Sequence, residues 1–239
     1  AFIKRNPNNK NNWTSATGSN AWTIGIDGGA GGTYRACAFT PAGKLLYAVG
    51  SAIHQAALVG GVWTHESTLV NELAVSLEVS PDGKFVAATT GAAVRIYSYN
   101  GTTLSEVNEN SISGAQYASF SPDSRFVAIA SNGSLNQTRM YRRSGNSWSV
   151  VGAGSAIGRG RVSWRYDSRQ FIALSSENSA GETGFRVFNI NADNNSFSPA
   201  ASSLQEAYGQ VAGAYHSGKY FVAQDHDSNA QSHFNVEGG

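Results

Sequence analysis

The stretch FSPDSRFVAI at residues 120–129 decides the reading of this chain, because it returns as FTPAGKLLYA at 39–48 and as VSPDGKFVAA at 79–88. Two looser copies follow, WRYDSRQFIA at 164–173 and AYHSGKYFVA at 214–223, and both keep the polar turn, the basic residue and the apolar run. In each copy an apolar segment enters, a Pro-Asp-Gly-type turn reverses the chain, and a second apolar segment leaves. Proline presets φ, and glycine or a short polar residue tolerates the tight bend. Each copy therefore reads as a hairpin. The basic residues Lys44, Lys84, Arg125, Arg169 and Lys219 stand 40, 41, 44 and 50 positions apart, which is the period of a four-stranded unit and too long for the shorter solenoid repeats.

A third segment follows each of the middle hairpins: AVRIYSY at 93–99, TRMYRR at 138–143 and FRVFNI at 185–190. Its period of two predicts a half-buried strand. A fourth, shorter and more polar segment comes next, as in SWSV at 147–150 after the turn at 144–146, and suits an exposed outer strand. No segment of ten or more residues has helical periodicity, because glycine, serine and asparagine interrupt the chain too often. One open sheet of about twenty strands would twist on itself and expose long edges, whereas radial closure leaves only short protected ones. The expectation is an all-β chain, a β-propeller of about five four-stranded blades forming one domain over residues 1–239, or a piece of a six- or seven-bladed ring. Residues 1–5 and 12–16 read as the third and fourth strands of a blade. Residues 209–225 form a hairpin with 232–236 as its third strand, so an N-terminal strand is expected to complete the last blade.

Charged residues make up 14% of the chain and the formal net charge is +1, which argues against a phosphate-tracking surface or a polybasic membrane patch. No apolar run approaches the roughly 18 residues needed to cross a bilayer, and AFIKR at 1–5 lacks a signal-peptide pattern. Neither nucleic-acid binding nor membrane insertion is expected. Cys37 is the sole cysteine, so no intramolecular disulfide can form; beside Phe39 in an apolar run, it is expected to be buried packing.

The phrase FSPDSRFVAIASNGSLNQTRMYRRSGNSWSVV, residues 120–151, resembles the WD40-like repeats of tail and other virion proteins of tailed bacteriophages, which pair an FSPDG hairpin with a strand ending in a YKRSG-like turn. Phe2 to Arg5, Tyr141 to Gly145 and Ala223 to Ser228 echo the same pattern. The chain has neither the Gly-His nor the Trp-Asp dipeptide of eukaryotic WD40 proteins, so their buried His-to-Asp network is not expected. The resemblance implies a non-catalytic virion structural or host-attachment propeller: a tail, fibre or capsid appendage, acting through contacts with other structural proteins in a multi-subunit assembly. A secreted or periplasmic location is the alternative. The FSPDG phrase is also similar to that of TolB-like periplasmic propellers and propeller lactonases, which keeps a periplasmic propeller and a lactonase-like enzyme open; a carbohydrate-binding propeller, with sites repeated between blades, is a separate alternative.

Candidate site residues fall into three groups. Exposed aromatics near blade edges or loops, Trp13, Trp22, Trp63 and Tyr208, offer faces that stack on a sugar or anchor a protein contact, although Trp13 and Trp148 fall on outer strands and suit packing between blades. The run Asp225-His226-Asp227 is a candidate partner or ligand contact. It lacks the spacing of a calcium loop, and turn chemistry accounts for it, so no metal is assigned. The five histidines show no His-x-x-His or Glu-x-x-His spacing and are read as lying in different blades. Among the expected inner strands, Glu78 is the sole carboxylate, too few for paired acid–base hydrolysis. The glycine-rich run at 25–32 lacks the Gly-Lys-Ser/Thr ending of a phosphate loop. No enzyme activity and no cofactor are expected.

Overall fold

The computed structural model describes residues 3–5, 13–15, 34–90, 92–110, 115–131, 138–154, 162–175, 184–191, 196–199, 211–216, 220–225 and 231–235. Every helix or strand among them is a strand. Two short strands, β1 (Ile3–Arg5) and β2 (Trp13–Ser15), pair with each other. Blade 1 comprises β3 (Tyr34–Phe39), β4 (Leu45–Val49), β5 (Ala52–Val59) and β6 (Val62–Val70). Blade 2 comprises β7 (Ser76–Val79), β8 (Phe85–Thr89), β9 (Val94–Tyr99) and β10 (Leu104–Asn110). Blade 3 contains β11 (Ala115–Phe120), β12 (Phe126–Ser131), β13 (Thr138–Ser144) and β14 (Ser147–Gly154). Blade 4 contains β15 (Val162–Trp164), β16 (Gln170–Ser175), β17 (Gly184–Asn191) and β18 (Ser196–Pro199). A three-stranded sheet follows: β19 (Val211–His216), β20 (Tyr220–Asp225) and β21 (Gln231–Asn235).

Each blade is an antiparallel meander in chain order, and the first strands β3, β7, β11, β15 and β19 lie beside one another in succession. This is propeller architecture. Four complete blades and one three-stranded sheet stand where five blades are expected. Among the described residues β1 is laddered on β2, Ile3 opposite Ser15 and Arg5 opposite Trp13, and no pairing joins either strand to β21. The expected completion of the last blade by an N-terminal strand is not part of the described pairing.

The core lies between blades, and this explains why the repeat phrase is so apolar. All residues of β8 and β12 are buried, and their side chains alternate between two layers. Val86 and Ala88 join Leu46, Ala48 and Ile53 of blade 1, while Phe85 and Ala87 join Phe120, Val127 and Ile129 of blade 3. Phe126 and Ala128 turn the other way, onto Trp164, Phe171 and Phe188 of blade 4. A second strand sandwiched in this way must be apolar on both faces. The outer strands β6, β10 and β14 run to nine, seven and eight residues, longer than the short polar segments expected. Two of them, β6 and β14, carry inward tryptophans: Trp148 of β14 packs edge-on to Phe85 of blade 2 and Phe120 of blade 3, at 5.4 and 5.5 Å between ring centroids.

The turns of the repeat are built alike. In blade 2 the Ser80 hydroxyl donates to Asp82 Oδ1 at 2.6 Å and accepts from the Phe85 N–H, and Asp82 Oδ1 accepts from the Lys84 N–H. Ser121, Asp123, Arg125 and Phe126 repeat every bond in blade 3. The next position needs a left-handed backbone, which glycine supplies at Gly43 and Gly83, with φ of 79° and 70°. In blades 3 and 4 it is Ser124 and Ser168, with φ of 58° and 61°. The strain is offset across the blade boundary: the Asp82 N–H donates to Ser124 Oγ at 3.0 Å, and the Asp123 N–H to Ser168 Oγ at 3.1 Å. Ser124→Ala keeps the strain and leaves the Asp82 N–H without its acceptor, for an expected loss of about 1–3 kcal/mol. Ser124→Gly loses the same bond but relieves about 1 kcal/mol of strain, so urea titration should rank wild type above Gly above Ala. An alanine variant as stable as wild type would mean that the cross-blade bond contributes nothing.

Cys37 is exposed, not buried. Its neighbours Ala36 and Ala38 pack towards blade 2, so the alternation of β3 turns Cys37 and Phe39 to the opposite face of blade 1, where Phe39 is 53% exposed. Asparagine behaves as turn chemistry requires at Asn100, whose Oδ1 accepts from the N–H groups of Thr102 and Thr103.

Candidate functional site

Three places bring chemistry-bearing side chains together. On the inner strands, Glu78 of β7 reaches across to blade 3, where its Oε1 accepts from the Phe120 N–H at 3.0 Å and the Ser119 hydroxyl at 3.2 Å. The indole N–H of Trp164, in blade 4, donates to the Ser119 carbonyl at 2.8 Å, so three blades meet at this point. Burial pushes the Glu78 carboxyl up to about 7, against the opposing pull of those two donors. A carboxyl with that proton affinity exchanges protons near neutrality. Counting carboxylates on the inner strands undervalues this residue; the signal for it is its position just before the hairpin turn, where a neighbouring blade desolvates it.

On the outer strands of blade 3 a pocket of about 420 Å³ is lined by Arg142, Arg143, Ser144, Ser149, Val150 and Val151. Arg143 is fixed in place. Its Nη1 donates to Asp82 Oδ2 of blade 2 at 2.7 Å, its Nε donates to the Gly145 carbonyl at 2.8 Å, and its guanidinium lies 4.3 Å from the centre of the Phe85 ring. Burial raises the proton affinity of Asp82, but the Ser80 hydroxyl, Arg143 and the Lys84 N–H outweigh it and hold the carboxyl below its usual range. Val150 at the pocket wall is 49% exposed. Two guanidinium groups, two hydroxyls and an apolar wall form a surface able to receive an anionic, partly apolar group.

On blade 1, two histidines come together. His54 of β5 and His65 of β6 have ring centroids 5.4 Å apart, and the Tyr47 ring stacks on His54 at 5.1 Å. His65 Nδ1 lies 2.9 Å from the Tyr47 hydroxyl, and His54 Nδ1 lies 3.0 Å from Thr68 Oγ1. The expectation that the histidines occupy different blades is thus corrected. Their separation of eleven positions carries no metal-type spacing; a hairpin turning at Gly60 and Gly61, with two register shifts, brings them together.

The aromatics and acids singled out from the sequence are not gathered into one site. Trp63 is 7% exposed and packs with Leu45, Tyr47 and Ala56, 5.5 Å from the Phe39 ring. It is a core residue of blade 1 and not an open stacking face, because its ring is covered by these neighbours. Trp13 stands in β2 and Asp225 ends β20 opposite Val211. Trp22, Tyr208, His226 and Asp227 lie outside the described residues. Among the described residues no group of three or more histidine, cysteine, aspartate or glutamate side chains converges.

No family model matches the chain, and no curated protein matches it. Solved structures do. The Cps50 (Swd1) β-propeller domain of Myceliophteria thermophila superposes with a TM-score of 0.65 at 8% identity, over 85% of this chain and 83% of that one. A functionally unknown protein from Desulfotomaculum acetoxidans gives a TM-score of 0.66 at 15% identity, covering 86% and 69%. A candidate 6-phosphogluconolactonase from Bacteroides uniformis gives 0.62 at 13% identity, over 73% of this chain and 55% of its own length. The chain thus spans little more than half of that last protein. At these identities the likeness carries the propeller fold and nothing finer.

Proposed function

We propose that this chain is a non-catalytic interaction propeller, a rigid scaffold that holds neighbouring structural proteins at its blade edges within a multi-subunit assembly. The observation that carries the reading is the pocket on β13 and β14, which joins a fixed Arg143, Arg142 and a half-exposed Val150 on outer strands rather than at the inner ones. Exposed positions of an outer strand, such as Val150, tolerate variation without disturbing the inter-blade core, so a binding edge there costs the fold little. The pocket has no aromatic lining among its residues, which gives the carbohydrate-binding alternative no specific support. The finer assignment, a virion or host-attachment role in a tailed-phage particle, rests on the likeness of residues 120–151 to the repeats of such proteins.

The test is affinity purification of the tagged chain from its native source, with imaging of the recovered material. Wild type should arrive in a particle with stoichiometric partners, whereas Val150→Asp combined with Arg142→Glu should arrive alone with an unchanged circular dichroism spectrum. Recovery of wild type as a partnerless monomer would sink the reading. A second reading has one specific support: Glu78, half-buried and exchanging its proton near pH 7, in a fold shared with a candidate lactonase. Hydrolysis of sugar lactones by wild type, abolished in Glu78→Gln, would favour it.

A further inference from the structure

We infer that His54 and His65 form a binding site for a borderline divalent transition ion, of the zinc, nickel or copper class, on the outer hairpin of blade 1. The argument starts from the sheet. In an unbroken ladder, β6 residues three apart project to opposite faces. Here His54 pairs with Thr68, Gln55 with Ser67 and Ala56 with His65, and the register shift between the last two pairs places one extra residue in β6. That bulge returns His65 and Thr68 to the same face as His54 and Ala56, and it turns Glu66 the other way, where its carboxylate accepts from Gln55 and Lys44. Bulges that re-aim side chains in this manner are built features of a strand.

The two imidazoles have the spacing of a metal pair, and their hydroxyl partners suit the tautomer that such a pair needs. Two histidines on one tetrahedral ion, with metal–nitrogen bonds of about 2.0–2.1 Å, place their ring centroids about 5–6 Å apart; the observed separation is 5.4 Å. Each Nδ1 faces a hydroxyl oxygen, Tyr47 for His65 and Thr68 for His54. With Nδ1–H donating to that oxygen, each Nε2 keeps its lone pair for an ion, and the hydroxyls orient the rings as outer partners do in metal sites generally. His65 is exposed and His54 half-buried, so an ion has access. Two protein nitrogens leave the remaining coordination positions to water, so the site is a weak one, with copper preferred over zinc.

Calorimetric titration of the full chain with Zn²⁺, alongside the nitrogen hyperfine pattern of bound Cu²⁺, tests this. His216, His226 and His233 are also present, so the informative comparison is between variants. His54→Gln and His65→Gln should each weaken one Zn²⁺ site at least tenfold, and Tyr47→Phe should weaken it severalfold through lost orientation of His65. The wild-type Cu²⁺ spectrum should show two imidazole nitrogens, falling to one in either single variant. Since His65 is exposed, its replacement does not threaten the fold, and circular dichroism checks this. A double variant that binds Zn²⁺ with the stoichiometry and affinity of wild type would overturn the inference, as would a wild-type Cu²⁺ spectrum showing a single imidazole.

Discussion

Trp148→Ala should lower stability by about 3–5 kcal/mol, the range for emptying a buried large aromatic position. The residue is 6% exposed, its ring meets Phe85 of blade 2 and Phe120 of its own blade, and it shares their core layer with Tyr141. Removing it opens a cavity at the seam between two blades and releases the middle of β14 from the core. Tyr166→Ala is the natural control, because that ring is 69% exposed at the turn of blade 4, and a change within about 0.5 kcal/mol is expected there. Both are read by urea denaturation. A Trp148 variant that loses no more than the control does would show that β14 is held by its backbone ladder alone.

Glu78 gives the second large effect, and its sign is opposite to that of most carboxylates. Burial lifts its folded-state value from 4.5 to about 7, so the folded chain holds this proton more tightly than the unfolded one. The stabilisation is therefore complete below pH 4.5, declines as pH rises towards 7, and is gone above it. A tenfold difference in proton affinity between the folded and unfolded chain corresponds to about 1.4 kcal/mol. With partial solvent screening of a half-buried group, the decline should be on the order of 1–3 kcal/mol. Glu78→Gln retains an acceptor for the Phe120 N–H without the charge. Its stability should match wild type near pH 4.5, exceed it at pH 8, and lack the slope between. Equal slopes for the two proteins would locate the Glu78 carboxyl in ordinary solvent. Asp82 and Asp123 act in a separate window: both are held below their usual range, so their contribution is lost only in stronger acid.

The repeat phrase makes the fold legible because the turn does the same work in blades 2 and 3, where Ser80 and Ser121 bridge Asp82 and Asp123 to the returning strand. That chemistry is local and leaves its mark in consecutive residues. Facing is not local. Whether Cys37 is exposed or Trp63 buried depends on which face of blade 1 each side chain takes and on what lies against it, and an apolar run reads identically in either case. The histidine pair is hidden in the sequence because a bulge, which has no residue signature here, decides where His65 projects. Arg143 and Asp82 are 61 positions apart, and nothing in either segment names the other. Glu78 stands out in the sequence as an inner-strand acid, but composition does not reveal which acids a neighbouring blade desolvates.

The serine acceptors at the turns give the propeller a polarity. The turns of blades 2 and 3 each donate an amide hydrogen bond forward, from Asp82 to Ser124 and from Asp123 to Ser168, whereas Gly83 instead lies against Pro41, which stands 3.3 Å from where a methyl would project. The modules are consequently not interchangeable despite their shared phrase. A copy of the second module spliced in after the third would offer hydrogen where the preceding amide needs an oxygen, so duplication or shuffling of these units has to carry the receiving hydroxyl along with the donor it serves.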